Sequence, residues 1–312
     1  MSDASLHYVN ADLSRADSDL LWEDIRREVS VVVPVEPPPL LYHYTDIEGL
    51  LAILDSQVLR LSHAAYLNDA SELSHGLDVI KEVVESKKGQ FGQQYGSLIQ
   101  LGADSLRGLY EGAFDPYVFS LSEPKDMLSQ WRAYGKASGV AIGFDTNKLK
   151  ELALEKPSLL NITSLSKVIY EKRDQSRLVE VVIDAVHAYE GRTNSAKRGG
   201  TSLLKALVNA FVQLVPTFKH PSFSEEQEWR VIRLLASHPE PELEFVHHRI
   251  GGRLLIPYIN LKAPTGQLGI SEVVCGPHPN PELVIKAVSS CLKKRGYAQF
   301  NILKSRIPFR SD

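Results

Sequence analysis

The chain has 312 residues, 43% of them apolar, with 35 Lys and Arg against 38 Asp and Glu, a formal charge of −3. A chain of this size can bury a full core without staples, and its balance of charge gives no global pull toward a polyanion. Its two cysteines, Cys275 and Cys291, form no C-x-x-C pair, which argues against a disulfide scaffold or a cysteine-rich zinc site. The cysteine usage suits a soluble protein of a reducing cytoplasm. No apolar run reaches the length of a membrane span, and the opening MSDASLHYVNADLS lacks a basic-then-apolar signal.

Residues 17–29 place Leu20, Leu21, Ile25 and Val29 at helical spacing. Pro37, Pro38 and Pro39 cannot continue a helix or enter a central strand. Residues 1–36 therefore read as a helical extension with a Pro-rich linker. Leu41–Tyr44 is a strand. Thr45 is expected to start a helix, with Glu48 as its capping-box partner and Ile47, Leu50, Leu51 and Leu54 on its apolar face. Val58–Ser62 alternates like a strand. Asn68 or Asp69 caps a second helix, carrying Leu73, Leu77, Ile80 and Val84 and stopped by Gly89. A third helix runs over about 91–110.

Tyr117–Ser122 is a strand, followed by a helix over KDMLSQWRAY that ends at Gly135, and by a buried strand Val140–Phe144. Residues 165–171 are a further strand, and 174–191 and 201–219 are long helices. Strands near 228–235, 243–248, 253–260 and 271–275, a helix near 281–294 and a strand near 299–304 close the chain. Short helices between many strands, without a regular βαβ beat, indicate an α+β fold. The expected organisation is one domain over 37–312 with a helical insertion at about 174–219.

Four constellations can carry chemistry. In LYHYT, His43 lies in a strand just before a helix N-terminus. It either packs against a backbone carbonyl or binds a ribose hydroxyl or an amide. In YLNDASEL, Asn68, Asp69 and Glu72 cap a helix or point into a cleft. Glu72 and His75 have the Glu-x-x-His spacing of a helical metal pair. Glu244 and His247 repeat it in a strand, where the two side chains face opposite ways. In SLSEPKDMLSQWRAYG, Met127 and Trp131 share a face and suit a core. Arg132 offers a fork for phosphate, and Tyr134 a stacking surface. In FSEEQEWRVIRL, strand alternation would put Glu226, Glu228 and Arg230 on one face. A carboxylate there can stabilise positive charge or act as a base, or simply pair with Arg230. Cys275-Gly-Pro-His278 reads better as a strand ending in a turn than as a nucleophile pair. The chain has no P-loop, G-x-G-x-x-G or G-x-S-x-G motif.

Taken in order, HYT at 43–45, LNDASEL at 67–73, SLSEPKDMLSQWRAYG at 120–135, GVAIGFD at 139–145 and EEQEWR at 225–230 resemble a bacterial domain-of-unknown-function family, number 2971. That family is distantly similar to the ADP-ribosyltransferase superfamily. The resemblance implies split central β-sheets with surrounding helices and NAD held between them. It implies a His on an early strand, matched by His43; a late Glu, matched by Glu228; and a middle aromatic or Ser, matched by Tyr134 or Ser122. It further implies Glu226 as base for the acceptor, Arg132 at the diphosphate, and Tyr44, Thr45 and Asn68 beside the ligand. No metal is called for. A toxin or phage-defence effector acting on a nucleic acid or protein would fit by analogy. The alternative is a non-catalytic nucleotide or nucleic-acid sensor. Residues 1–36 are a candidate dock for an antitoxin or a second copy.

Overall fold

The computed structural model describes residues 25, 28, 36–67, 72–135, 139–153, 161–192, 200–236, 245–251 and 253–308. Of the N-terminal extension, only Ile25 and Glu28, both helical, and Glu36 fall within this set. The chain divides into two compact units, one formed by 1–35, 69–114 and 169–223, the other by 36–68, 115–168 and 224–312.

The second unit carries a ten-stranded mixed sheet. Its strands are β1 (Leu40–Asp46), β2 (Val58–His63), β3 (Phe114–Ser122), β4 (Gly139–Asp145), β5 (Asn161–Lys167), β6 (Glu228–Ala236), β7 (Val246–Gly251), β8 (Leu254–Lys262), β9 (Ile270–Cys275) and β10 (Asn301–Lys304). The order is β10-β9-β4-β1-β3-β2-β8-β7, with β6 paired to β3 and β5 to β6. The architecture is α+β, as the segment pattern indicates. The strands join into one hydrogen-bonded network rather than two separate sheets. Its two halves meet thinly, since β1 touches β3 at one registered pair, Tyr42 with Ser122.

Why β4 is central follows from its sequence. GVAIGFD is apolar on both faces, and every residue from Gly139 to Phe144 is buried. β4 pairs with β1 along its whole length and with β9 on the other side. Gly143 is required there: a Cβ would stand 2.8 Å from Tyr42 Cε1 and 3.2 Å from the Glu272 carbonyl. Helix Ile47–Ser56 follows β1, and buries Leu50, Ile53 and Leu54. Its N-cap is Asp46, which accepts from the Gly49 amide at 2.8 Å, while Thr45 remains in the strand. The expected start at Thr45 is therefore one residue early, because the carboxylate of Asp46 meets the orphan amide.

The first unit is helical: Glu72–Lys87, Gln93–Gly112, Lys172–Arg192 and Gly200–Leu214. Ile80, Val84, Ile99, Ile183, Leu207 and Phe211 are fully buried in it. Pro216 ends the last helix in a 3-10 turn, Val215–Thr217, so the expected reach to 219 falls short. Glu72 does not serve a metal pair with His75. It forms a buried ion pair with Lys219 at 3.0 Å, while His75 bonds Gln175 at 3.1 Å. No cluster of metal-ligating residues occurs among the described residues. Nor is any helix among them long and apolar enough to cross a membrane.

Gly143→Ala should cost about 1–3 kcal/mol of unfolding free energy, since neither neighbouring strand can yield. A urea midpoint unchanged from wild type would contradict this packing.

Candidate functional site

Strand alternation sends Tyr42 and Tyr44 of β1 to one face and Leu41 and His43 to the other. On the first face Tyr42 and Tyr44 join a core cluster with Trp131, Ala141 and Val274, flanked by Leu40, Met127 and Ile307. Tyr44 acts as scaffold there. Its hydroxyl donates to the Pro124 carbonyl at 2.8 Å and accepts from the Met127 amide at 3.1 Å. Trp131 stands edge-on to it at 4.7 Å and donates Nε1–H to Asp126 at 2.8 Å. Asp126 also holds Ser305 Oγ at 2.6 Å and the Arg306 amide at 2.7 Å. The loop 123–127 is thus held by Tyr44 of β1 at Pro124 and Met127 and by the C-terminal segment at Asp126.

His43, half-buried, stacks on Phe119 at 4.2 Å. Its Nδ1 lies 2.9 Å from the Ser120 carbonyl. Burial pushes the imidazole down from 6.5 to about 4, and the bond to Ser120 opposes this only in part. The ring is therefore neutral near pH 7. A carbonyl partner assigns the proton to Nδ1, which leaves Nε2 with its lone pair as an acceptor.

The far end of the domain reaches the same stretch of β3. Ser122 Oγ donates to the Glu226 carbonyl, and the Glu123 amide donates to the Gln227 carbonyl at 3.2 Å. Glu226 ends a 3-10 helix, Pro221–Glu226, and Gln227 turns through φ 43° before β6 begins at Glu228. The expectation that Glu226 shares a strand face with Glu228 and Arg230 is corrected by that left-handed residue, which breaks the alternation. Glu228 and Arg230 do share a face. They meet in a two-pronged pair, Nε to Oε1 at 2.8 Å and Nη2 to Oε2 at 2.9 Å. Both are buried, at 4% and 1% exposure, so the pair is no solvated strand end.

Beside it, Glu123 accepts from Lys167 Nζ at 2.8 Å and Trp229 Nε1 at 2.9 Å. Burial works against the Glu123 carboxylate, but these two donors outweigh it and hold its pKa below the usual value. Arg132 and Tyr134 lie on a π-helical turn, Trp131–Gly135, and both are exposed, Tyr134 by 38%. The expected helix over KDMLSQWRAY is reduced to Leu128–Gln130 plus this turn. Glycines allow it: Trp131 packs on Gly276, where a Cβ would sit 3.0 Å from its ring, and Gly276 bonds the Gly139 carbonyl at 2.8 Å. Asn68 and Asp69 lie outside the described residues, as does Glu244.

Sequence reasoning overlooked Glu272 of β9. This buried carboxylate accepts from Tyr42 at 3.0 Å and from Lys125 at 3.2 Å. Burial, and after it the bond to Glu272, push the Tyr42 hydroxyl above its ordinary range. A lone acid in the apolar run ISEVVC was the available signal. Cys275, three residues on, is buried and its thiol is pushed up to about 11, which does not suit a nucleophile.

One hollow, of about 10 Å³, is bordered by Phe144, Lys148, Leu268 and Gly269 and has room for about one water. Another is open and runs along helix Pro281–Lys294. Neither is lined by His43, Arg132, Tyr134 or Glu228.

Residues 130–231 match the family described as Protein of unknown function (DUF2971). The match covers less than half of the chain. It includes Arg132, Tyr134, Glu226 and Glu228, and begins well after His43. No curated protein and no solved structure matches the chain.

Two outcomes follow from this geometry. Arg230→Met removes the guanidinium from a buried carboxylate and should cost about 3–5 kcal/mol in urea unfolding; a cost below about 1 kcal/mol would show the pair to be solvated. For His43 the folded chain takes up the ring proton at lower pH than the unfolded chain. Its contribution to stability is complete above about pH 6.5 and is lost as pH falls toward 4. Across that window wild type should lose about 1 kcal/mol per pH unit relative to the non-titrating His43→Gln variant. Parallel stability curves would contradict the neutral ring.

Proposed function

We propose that the chain binds NAD where β1, β3 and β6 meet, and cleaves its nicotinamide–ribose bond as an ADP-ribosyltransferase or NAD glycohydrolase. The observation that carries this reading is that one short stretch of β3, Ser120–Ser122, holds both His43 and the Glu226–Glu228 segment. Residues far apart in sequence are thereby tied to one strand, with His43 on one face of it and the Ser122 side chain, which shares the face of Tyr42, on the other. The thin join between the two sheet halves, at Tyr42 and Ser122, lies at the same place.

In this reading each residue has a role. Nε2 of neutral His43 accepts from a ribose hydroxyl or from the nicotinamide amide. Arg132, exposed on its turn, contacts the diphosphate, and Tyr134 stacks on the nicotinamide ring. Glu228 accepts from the ribose 2′-hydroxyl and offsets positive charge as the bond from ribose C1′ to nicotinamide nitrogen breaks. Nicotinamide leaves with the bonding electron pair. Glu226 takes the proton from the attacking hydroxyl, whether of water or of a macromolecule, as that oxygen bonds to C1′. Arg230 is a positioning residue: its fork fixes both carboxylate oxygens of Glu228.

Incubation with NAD should release nicotinamide, measured by chromatography. Glu226→Gln and Glu228→Gln should each lower turnover about 10²-fold or more. Because Glu228→Gln also disturbs a buried pair, its rate is taken at a temperature where circular dichroism shows it folded. Full turnover in that variant, or no release by wild type, would overturn the reading.

A further inference from the structure

The end of the sheet formed by β2, β8 and β7 has an unusual charge pattern. No Asp or Glu occurs at 56–68 or at 245–271, although the chain as a whole carries more acids than bases. These strands and the β7–β8 turn contribute Arg60, Arg249, Arg253 and Lys262, together with His63, His247 and His248. Glu240, Glu242 and Glu244 precede the stretch and lie outside the described residues.

Register decides which of these share a face. Ser62 pairs with Tyr258, and Tyr258 with His247, so the three form one row across β2, β8 and β7. Arg60 and Arg249 stand two residues from Ser62 and His247 on the same side. The contacts agree. The Arg60 guanidinium lies over the Tyr258 ring at 5.6 Å, the His247 ring is 5.5 Å from Tyr258, and Arg249 Nη2 donates to Ser62 Oγ at 3.1 Å. Arg60, His247 and Arg249 are exposed, and so is Phe245, by 65%, where it leads into β7. The opposite face sends Leu59, Leu61 and Ile259 into the core.

We infer that this face of β2, β8 and β7 binds single-stranded nucleic acid. Two copies of the same face would bring cation against cation, which is unfavourable, so its partner is an anion. Flat rings interleaved with guanidinium groups across adjacent strands give each base a surface to stack on and each phosphate a counter-charge. His63 alternates to the opposite face, with Leu59 and Leu61, where Asp115 engages it at 3.1 Å, so it is not part of this surface. The surface goes beyond the NAD reading and needs no turnover.

The test is fluorescence anisotropy of the full chain, without NAD, with labelled oligothymidylate and oligouridylate of about 20 nucleotides. Duplex DNA of the same length, polyglutamate and phosphatidylglycerol vesicles serve as comparisons. Single strands should bind most tightly, with affinity falling as salt rises. Arg60→Gln combined with Arg249→Gln should weaken binding about tenfold and flatten the log–log salt dependence by roughly one unit. Tyr258→Leu should weaken it about fivefold or more at constant slope. Arg60→Gln alone, on an exposed side chain, gives the same direction if the double variant melts early. Absence of single-strand binding, equal or tighter binding of polyglutamate, vesicles or duplex, or indifference to these changes would overturn the assignment. Nicotinamide release is read separately, so either idea can fail alone.

Discussion

The proposed NAD site leans on the last three residues of β3. Ser120 gives its carbonyl to His43, Ser122 pairs with Tyr42 and gives its hydroxyl to the Glu226 carbonyl, and Glu123 just beyond bonds Gln227. A β-strand serves well as such a reference, because its groups are fixed by neighbours on both edges. The π-helical turn with Arg132 and Tyr134 is anchored next to it through Tyr44, Met127 and Trp131. Local contacts are short here while the sequence separations are long, so the arrangement exists only in the folded state.

The buried Glu228–Arg230 pair serves two purposes that pull against each other. As a structural pair, it meets the cost of placing charge in the interior through two charge-assisted hydrogen bonds. As part of a proposed reaction centre, the same bonds fix and aim the carboxylate. Glu272 with Tyr42 and Lys125 repeats the pattern on the other half of the sheet. Among the described residues the sheet therefore carries two interior carboxylates, Glu228 satisfied by Arg230 of its own strand and Glu272 by Tyr42 of β1 and by Lys125.

Much of the fold was legible because strong local signals agreed with tertiary packing. GVAIGFD could only be a strand buried on both faces. Pro281 opens a helix at its first turn, and that helix runs over 281–294 as its periodicity indicates. His43, Glu228 and Arg230 stood out as polar groups within apolar strands. Other features depended on contacts remote in sequence. Nothing in FSEEQEW announces that Gln227 adopts φ 43°, and that one residue removes Glu226 from the strand face. KDMLSQWRAY has helical spacing, yet it folds as one short helical turn and a π-turn against which Gly139 and Gly276 pack closely. Glu272 looked ordinary until Tyr42 and Lys125 were found on it. The cationic face was hidden by a net charge that averages over both ends of the chain.

The most direct measurement is a long-range proton–nitrogen NMR spectrum of the histidine rings, with and without a non-hydrolysable NAD analogue. His43 should appear neutral with its proton on Nδ1, and the analogue should move its Nε2 resonance while Nδ1 stays with Ser120. A doubly protonated ring near pH 7, or a His43 signal indifferent to saturating analogue, would contradict the account.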